Sequence, residues 1–230
     1  MALQAVAADA ASVAANLRSV RARIAASAER SGRPGSAIRL IGVSKTFPAE
    51  AVISAVAAGL CDIGENRVQE AAPKAALVAG SGAHPVWHLI GHLQTNKVKP
   101  ALELFDCIHS VDSLHLAEAL SRHARRPVEI LLEVNVAGEA TKTGFTPTDV
   151  VSAAPAIAGL PNLVLRGLMT VAPETSDPEE VRPVFRQLRM LNDELRLTEL
   201  SMGMSGDYEV AISEGATMVR IGRAIFGARA

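Results

Sequence analysis

The sequence is poor in cysteine and in net charge. Its 230 residues include two cysteines, Cys61 and Cys107, whose spacing is not that of a paired-cysteine metal motif. The 23 lysines and arginines nearly balance 24 aspartates and glutamates, which leaves a net charge of −1. Because nucleic acids and anionic lipids attract clustered positive charge, this balance argues against general nucleic-acid or membrane-surface binding. Two isolated cysteines indicate a reducing compartment rather than a disulfide framework.

Long apolar runs are lacking as well. No segment approaches the roughly 20 residues that a membrane-spanning helix needs. The start of the chain lacks the basic segment and cleavage pattern of a signal peptide, and Asp9 interrupts it. Between residues 12 and 30, apolar residues recur at helical spacing, which favours a helix packed on a core over a transit peptide. The residues of this stripe are Val13, Leu17, Val20 and Ile24. We therefore expect a soluble, cytoplasmic protein.

The residues that are abundant indicate a folded α/β protein. Hydrophobic residues make up 49% of the chain and charged residues 20%, which excludes a disordered chain. From residue 37 onward, short β-type runs alternate with helix-like stretches, the pattern of βαβ units in a parallel sheet. The predicted strands are 38–43, 61–64, 86–90, 105–111, 128–136, 163–170, 199–202 and 217–221. The clearest predicted helices are 49–58, 113–125, 148–158 and 179–197.

Eight strands with one extra helix in front predict a compact (β/α)₈ barrel of the TIM type. The alternative is an open, doubly wound sheet. Such a sheet usually has a glycine-rich turn after its first strand, and here that strand ends in Val43-Ser44-Lys45-Thr46. No linker, repeat or low-complexity tract divides the chain. We therefore predict one domain over residues 1–230.

Polar residues recur where the predicted strands end, and Lys45 is the most informative of them. In a barrel of this kind the chemistry lies at the carboxyl ends of the strands. Partial desolvation of a lysine there favours the neutral amine, which can attack a carbonyl compound. The alternative is a lysine whose ammonium group reaches water past the end of the strand.

The segments after the last two strands are rich in glycine and serine. Residues 201–207 and 220–223 can present backbone N–H groups to an anion, and these loops are the usual phosphate site of barrels. The alternative is a pair of ordinary glycine-containing turns. An amine at the first strand and a phosphate site at the last two would suit a phosphorylated aldehyde. Pyridoxal 5′-phosphate (PLP) is the commonest such cofactor, and a phosphosugar is the other candidate.

A metal site is not predicted. His84, His88 and His92 are four residues apart, which would align three ligands on a helix. Pro85 and Gly91 interrupt that helix, and the intervening residues are typical of a strand, in which neighbouring side chains point to opposite faces.

Six segments together carry a family resemblance. They are VSKT at 43–46, GENRVQE at 64–70, WHLIGHLQTNK at 87–97, HSVD at 109–112, LSMGMS at 200–205 and VRIG at 219–222. With them the chain resembles, over essentially its whole length, the pyridoxal-phosphate homeostasis protein family, relatives of the barrel domain of alanine racemase. The resemblance implies the same barrel, with PLP as cofactor.

The resemblance also implies roles for individual residues. Lys45 would hold PLP as a Schiff base, and Lys142 matches a basic position near the pocket that could accept the cofactor transiently. The other implied site residues are Asn66 beside the ring, Ser201 and Ser205 with the backbone of Gly222 and Arg223 at the phosphate, Arg220 at the pyridine nitrogen, and Met202, Met169 and His88 in the pocket. The family more often has a small hydroxyl residue where this chain has Arg223.

A carrier and an enzyme both fit a PLP barrel. Racemisation needs acid–base groups on both faces of the substrate, and the racemase relatives take the second from a β-rich domain that these residues do not include. Tyr208 is the one tyrosine of the chain, and it follows the seventh strand. We therefore predict a non-catalytic carrier in intracellular PLP and amino-acid homeostasis, with a weak amino-acid racemase as the alternative. Its expected partners are PLP and PLP-accepting apo-enzymes, and it is expected to be a monomer or weak dimer.

Overall fold

Eight parallel strands close into a barrel in the computed structural model, which describes residues 10–139 and 141–228. The strands are β1 (Arg39–Val43), β2 (Asp62–Glu65), β3 (Val86–Leu89), β4 (Cys107–Val111), β5 (Val128–Glu133), β6 (Leu163–Met169), β7 (Glu199–Ser201) and β8 (Met218–Ile221). Each strand pairs with the next along the chain, and β8 pairs with β1. The predicted TIM-type barrel is confirmed, and the open doubly wound sheet is excluded.

Helices follow the strands around the outside of the barrel. They are α1 (Ala10–Arg30), α2 (Ala49–Ala57), α3 (Val68–Gly80), α4 (Val98–Leu104), α5 (Leu114–His123), α6 (Pro147–Ala158), α7 (Arg182–Glu194), α8 (Tyr208–Ser213) and α9 (Arg223–Phe226). The main apolar core joins helix residues such as Val52 and Leu188 to strand residues such as Ile63 and Ile130, all fully buried.

The extra helix in front of the barrel is α1, and its predicted apolar stripe is buried. Asn16 donates a hydrogen bond to the carbonyl oxygen of Ile225 at 3.0 Å, which ties α1 to α9. Residues 1–9, including Asp9 and the expectation about a leader segment, lie outside the described residues. Within residues 10–139 and 141–228, no helix is both long and apolar enough to cross a bilayer.

The helix α7 is shorter at both ends than the helix predicted over 179–197. Residues Pro178–Val181 form a 3₁₀ turn, and α7 starts at Arg182. Pro183 is the second residue of α7, in the first turn, where the missing backbone N–H of a proline costs no helical hydrogen bond. At the other end, Arg196 adopts a positive φ of 54° and terminates the helical backbone.

The interior of the barrel is partly polar. His109 on β4 and the hydroxyl of Ser201 on β7 lie 2.9 Å apart. These strands are not neighbours in the sheet, so the contact crosses the lumen of the barrel. A separate small apolar cluster joins Cys107, Leu131 and Met169.

Candidate functional site

A cavity of about 600 Å³ lies at the carboxyl ends of β1 and β8. Five residues that the sequence analysis assigned to the cofactor line it together: Lys45, Ser205, Arg220, Gly222 and Arg223. Small-molecule pockets in proteins have volumes of roughly 300–1,000 Å³. The cavity is therefore large enough for a cofactor-sized ligand.

Lys45 lies in a tight turn directly after β1. The N–H of Phe47 donates to the carbonyl oxygen of Ser44 at 3.0 Å, and Thr46 between them has a φ of 70°. A positive φ is unfavourable for a β-branched residue, and such strain concentrates at functional sites. The turn therefore fixes where the backbone of Lys45 meets the cavity.

Three buried polar side chains support this turn from below. The hydroxyl of Ser44 donates to Glu65 Oε1 at 2.6 Å, and the ammonium group of Lys74 donates to the Ser44 carbonyl oxygen at 2.7 Å. Lys74 also forms an ion pair with Glu65, and all three residues are buried. This cluster was not predicted from the sequence. A feature of the sequence that could have indicated the cluster is the carboxylate of Glu65 at the end of an apolar strand, because a buried charge needs a partner.

The opposite wall consists of the loop after β7 and the start of α9. Ser205 Oγ accepts a hydrogen bond of 3.4 Å from the N–H of Ala224, in the first turn of α9. Gly222 precedes that turn, and a Cβ at this position would lie 3.1 Å from the carbonyl oxygen of Val43. The close approach to β1 favours glycine here, and Gly222 and Arg223 line the cavity together.

Arg220 provides a buried positive charge at the cavity. Its side chain donates to Ser201 Oγ at 2.6 Å and to the Thr170 carbonyl oxygen at 2.8 Å. Burial lowers the pKa of Arg220 to about 10, and the carboxylates of Asp207 and Glu133 oppose the shift. The guanidinium is therefore still charged at neutral pH.

Five other predicted site residues lie outside the lining of this cavity. Ser201 is fully buried beneath Arg220, in the barrel rather than in the loop that carries Ser205. Met169 and Met202 are buried among apolar side chains. Asn66 follows β2, and its Oδ1 atom is buried with no hydrogen-bond partner among the described residues.

His88 points into the barrel interior and is fully buried, whereas His84 and His92 are exposed. This difference in burial among the three histidines agrees with a strand, rather than a helix, over the predicted residues 86–90. His88, Cys107 and His109 do come together, with one ligand-type atom from each lying within 4.8 Å of the others. Burial raises the pKa of Cys107, which disfavours the thiolate that binds metals. The two imidazoles are hydrogen-bonded to each other at 3.0 Å, and we assign them to an internal network rather than to a metal site.

One part of the cavity wall was not predicted from the sequence. It consists of Pro173, Glu174 and Thr175, from the segment between β6 and α7. Asp207, the last residue of the predicted phosphate segment 201–207, also lines the cavity, and its Oδ1 accepts a bond of 2.5 Å from the N–H of Met204. Burial raises the pKa of Asp207, while that hydrogen bond and the charge of Arg220 act against the rise.

Known proteins resemble this chain over nearly all of its length. The family model of the alanine racemase N-terminal domain matches residues 9–230. The pyridoxal phosphate homeostasis protein of Pseudomonas aeruginosa is 47% identical over 222 residues, which is 94% of this chain and 96% of the relative. The chain belongs to the pyridoxal phosphate homeostasis protein family.

Solved structures place this family member among barrels of known fold. PipY of Synechococcus elongatus, solved with PLP bound, is 41% identical, with a TM-score of 0.82 over 94% of this chain and 100% of PipY. Alanine racemase from Corynebacterium glutamicum has a TM-score of 0.71 at 16% identity, over 94% of this chain and 61% of the racemase. At that identity the similarity to the racemase shows the barrel fold alone.

Proposed function

We propose that this chain is a PLP-binding protein that holds the cofactor as a Schiff base on Lys45. In this proposal it acts in intracellular PLP and amino-acid homeostasis and has no catalytic activity of its own. The observation that carries the proposal is that Lys45, Arg220 and the Ser205 loop line one cavity.

The chemistry of the cavity suits the cofactor at both ends. The amine of Lys45 would condense with the aldehyde of PLP, with loss of one water molecule. The hydroxyl of Ser205 and the backbone N–H groups of Gly222 and Arg223 would donate hydrogen bonds to a phosphate, and the Arg223 guanidinium adds positive charge. When bound, PLP supplies an electron-withdrawing ring to an attached amino group.

The ring would lie between these two ends. Arg220 lines the cavity as a charged donor and would face the pyridine nitrogen, the role that the resemblance implies for it. Asn66 has a buried amide oxygen with no partner among the residues described, and buried acceptors of this kind are usually paired when a ligand is present. We keep Asn66 beside the ring, and we now assign Ser201 to support of Arg220 rather than to the phosphate.

The relatives support binding and homeostasis. The P. aeruginosa protein is named for pyridoxal phosphate homeostasis, and PipY was solved with PLP bound. We extend both properties to this chain, as a single cytoplasmic barrel domain that is a monomer or weak dimer. We further propose that it passes PLP to apo-enzymes.

The position of Tyr208 favours a carrier over a racemase. Tyr208 is 1% exposed, and the guanidinium carbon of Arg23 on α1 lies 5.4 Å from its ring centroid. It does not line the Lys45 cavity, so it does not supply a second acid–base group there. A charged Arg220 at the ring nitrogen would also disfavour ring protonation and weaken the ring as an electron sink.

Absorption spectra with and without added PLP, followed by borohydride reduction and peptide mapping, test the proposal. A visible band should appear, and reduction should fix the cofactor to the peptide that contains Lys45. Lys45→Ala should lose the band and keep weaker, non-covalent binding through the phosphate, with some cofactor diverted to Lys142. Asp193→Asn, an exposed change on α7, is the control and should bind as wild type.

Three results would overturn parts of this proposal. A colourless protein after PLP addition would remove the cofactor and favour a phosphosugar ligand. A main adduct on another lysine would remove the assignment to Lys45. Alanine racemisation at about 1 per second or faster, abolished by Lys45→Ala, would replace the carrier with an enzyme.

A further inference from the structure

A continuous row of hydrogen-bonded side chains crosses the barrel from Asp62 to Arg220. Asp62 Oδ1 lies 2.9 Å from His88 Nε2, and His88 Nδ1 lies 3.0 Å from His109 Nε2. His109 Nδ1 lies 2.9 Å from Ser201 Oγ, which accepts a bond of 2.6 Å from Arg220. We call these five residues the Asp62–Arg220 chain.

The two ends of the chain lie in different surroundings. Asp62 is the first residue of β2, at the amino end of the barrel, and its side chain is 14% exposed. Arg220 lies at the opposite end and lines the Lys45 cavity. The three residues between them are fully buried, so water does not compete for their hydrogen bonds. The chain therefore connects one end of the barrel to the proposed cofactor site.

The donors and acceptors of the chain can be assigned by counting protons. A guanidinium only donates, so Ser201 Oγ accepts from Arg220 and has its own proton to give. Burial lowers the pKa of His109 well below its ordinary value, and the positive charges of Arg220 and Arg39 add to the effect. His109 is therefore neutral and carries a single ring proton.

One proton arrangement then satisfies every bond with neutral imidazoles. Ser201 donates to His109 Nδ1, and His109 donates from Nε2 to His88 Nδ1. His88 in turn donates from Nε2 to the carboxylate of Asp62, which only accepts when ionised. Every hydrogen bond in the chain thus points from Arg220 toward Asp62, and Asp62 sets that direction.

This direction matters for Arg220 because a long, flexible side chain loses entropy when it is fixed. Ser201 is held as an acceptor for the guanidinium as long as its own proton is taken by His109. The second bond, to the Thr170 carbonyl oxygen, holds the other terminal nitrogen. Together these contacts fix the guanidinium at the cavity in advance of binding, and preorganisation of this kind increases affinity.

We propose that the Asp62–Arg220 chain positions the guanidinium for the cofactor ring. His88 and His109 are positioning residues in this proposal, and neither touches the ligand. The role rests on the proposed function, because it concerns PLP binding in the Lys45 cavity.

The first measurement uses the protein without PLP. ¹⁵N NMR of histidine-labelled protein should show His88 and His109 as neutral Nε2–H tautomers in the wild type. Asp62→Ala removes the terminal acceptor, so the Nε2–H tautomer of His88 should lose its dominance. Asp62→Asn keeps an acceptor oxygen and should retain the wild-type tautomers. Glu129→Ala removes an exposed carboxylate at the same end of the barrel and is the matched control.

The second measurement is the dissociation constant for PLP by equilibrium dialysis. A hydrogen bond contributes about 1 kcal/mol net, so Asp62→Ala should weaken binding about fivefold. Asp62→Asn and Glu129→Ala should bind as wild type. His109→Leu should weaken PLP binding further. If His109→Leu does not fold, the result for Asp62→Ala alone tests the positioning role. Thermal melts establish that each variant compared is folded.

The outcomes separate this inference from the proposed function. If wild type binds PLP on Lys45 but Asp62→Ala leaves the tautomers or the dissociation constant unchanged, the positioning role is wrong and the proposed function stands. Detection of an imidazolium at His88, or of an Nδ1–H tautomer at His109, in the wild type would also overturn the positioning role. Absence of PLP binding by the wild type would instead remove the proposed function.

Discussion

The ammonium group of Lys74 on α3 donates a hydrogen bond of 2.7 Å to the carbonyl oxygen of Ser44, the residue before Lys45. The same ammonium group is paired with the buried carboxylate of Glu65 at the end of β2. A helix, two strands and the proposed cofactor lysine are therefore linked through one buried ion pair. The Lys45 turn depends on that pair for its position.

Loss of Lys74 is expected to destabilise the protein strongly. Lys74→Met leaves the buried Glu65 carboxylate with the Ser44 hydroxyl as a donor but with no positive charge beside it, and removing one member of a buried ion pair costs about 3–5 kcal/mol. The double variant with Glu65→Gln should lose less, because no unpaired charge is left. Chemical denaturation measures both. Arg67→Met, in the exposed pair with Glu70, is the control and should change the free energy of unfolding by less than about 1 kcal/mol. A similarly small loss for Lys74→Met would contradict the prediction.

The positive φ of Thr46 predicts that glycine is preferred at this position for stability. Strain of this kind costs about 1–3 kcal/mol, and the entropy lost by a glycine costs about 0.5–1 kcal/mol. Thr46→Gly should therefore raise the free energy of unfolding by about 1 kcal/mol. Thr46→Ala removes the β-branch and retains the unfavourable φ, so it should gain less. A lower stability for Thr46→Gly than for Thr46→Ala would show that the turn is not strained.

Gly91 is expected to tolerate no side chain. A Cβ there would lie 2.5 Å from the carbonyl oxygen of Asn66, so Gly91→Ala must displace the backbone beside the proposed cofactor site. Overpacking of this type costs about 1–3 kcal/mol. PLP binding should weaken as well, because Asn66 moves. Gly80→Ala is the matched control, since a Cβ there meets nothing within 4 Å. If both variants are equally stable, the close contact is not real.

Asp207 predicts a specific pH dependence. Because burial raises its pKa in the folded state, the folded protein takes up the proton at a higher pH than the unfolded chain. This contribution to stability is fully present below the unfolded pKa and is lost as the pH rises through the folded pKa. Asp207→Asn removes that loss. As the pH rises from the unfolded to the folded pKa of Asp207, the free energy of unfolding of the variant should therefore increase relative to that of the wild type.

Urea denaturation of the protein without PLP, repeated across the acid range, measures this difference. Asp193→Asn, on the exposed face of α7, should follow the wild-type profile at every pH. A constant difference between Asp207→Asn and wild type would contradict the prediction. Asp207→Asn should also bind inorganic phosphate more tightly at neutral pH, because it removes a negative charge from the cavity.

The barrel, and the position of Lys45 directly after its first strand, could be predicted from the amino-acid sequence alone. Apolar runs bounded by helix-like stretches predicted all eight strands, because burial of a strand on both faces requires continuous apolar residues. The apolar stripe of α1 could also be predicted, because helical periodicity is a property of the local sequence. The predicted site at Lys45 and the loops after β7 and β8 followed from a topological rule that places the carboxyl ends of all strands on one face of a barrel.

Which polar residues contact one another could not be predicted from the sequence. His88 was predicted near the cofactor, yet its partners His109 and Asp62 are more than 20 residues away in the chain, and Ser201 lies 92 residues from His109. The pairing of Lys74 with Glu65 likewise needs α3 folded back on β2. Local sequence carries the propensity and the period of each element. Contacts across a barrel depend on strand register and closure, which are set by the free energy of the whole core and not by any one segment.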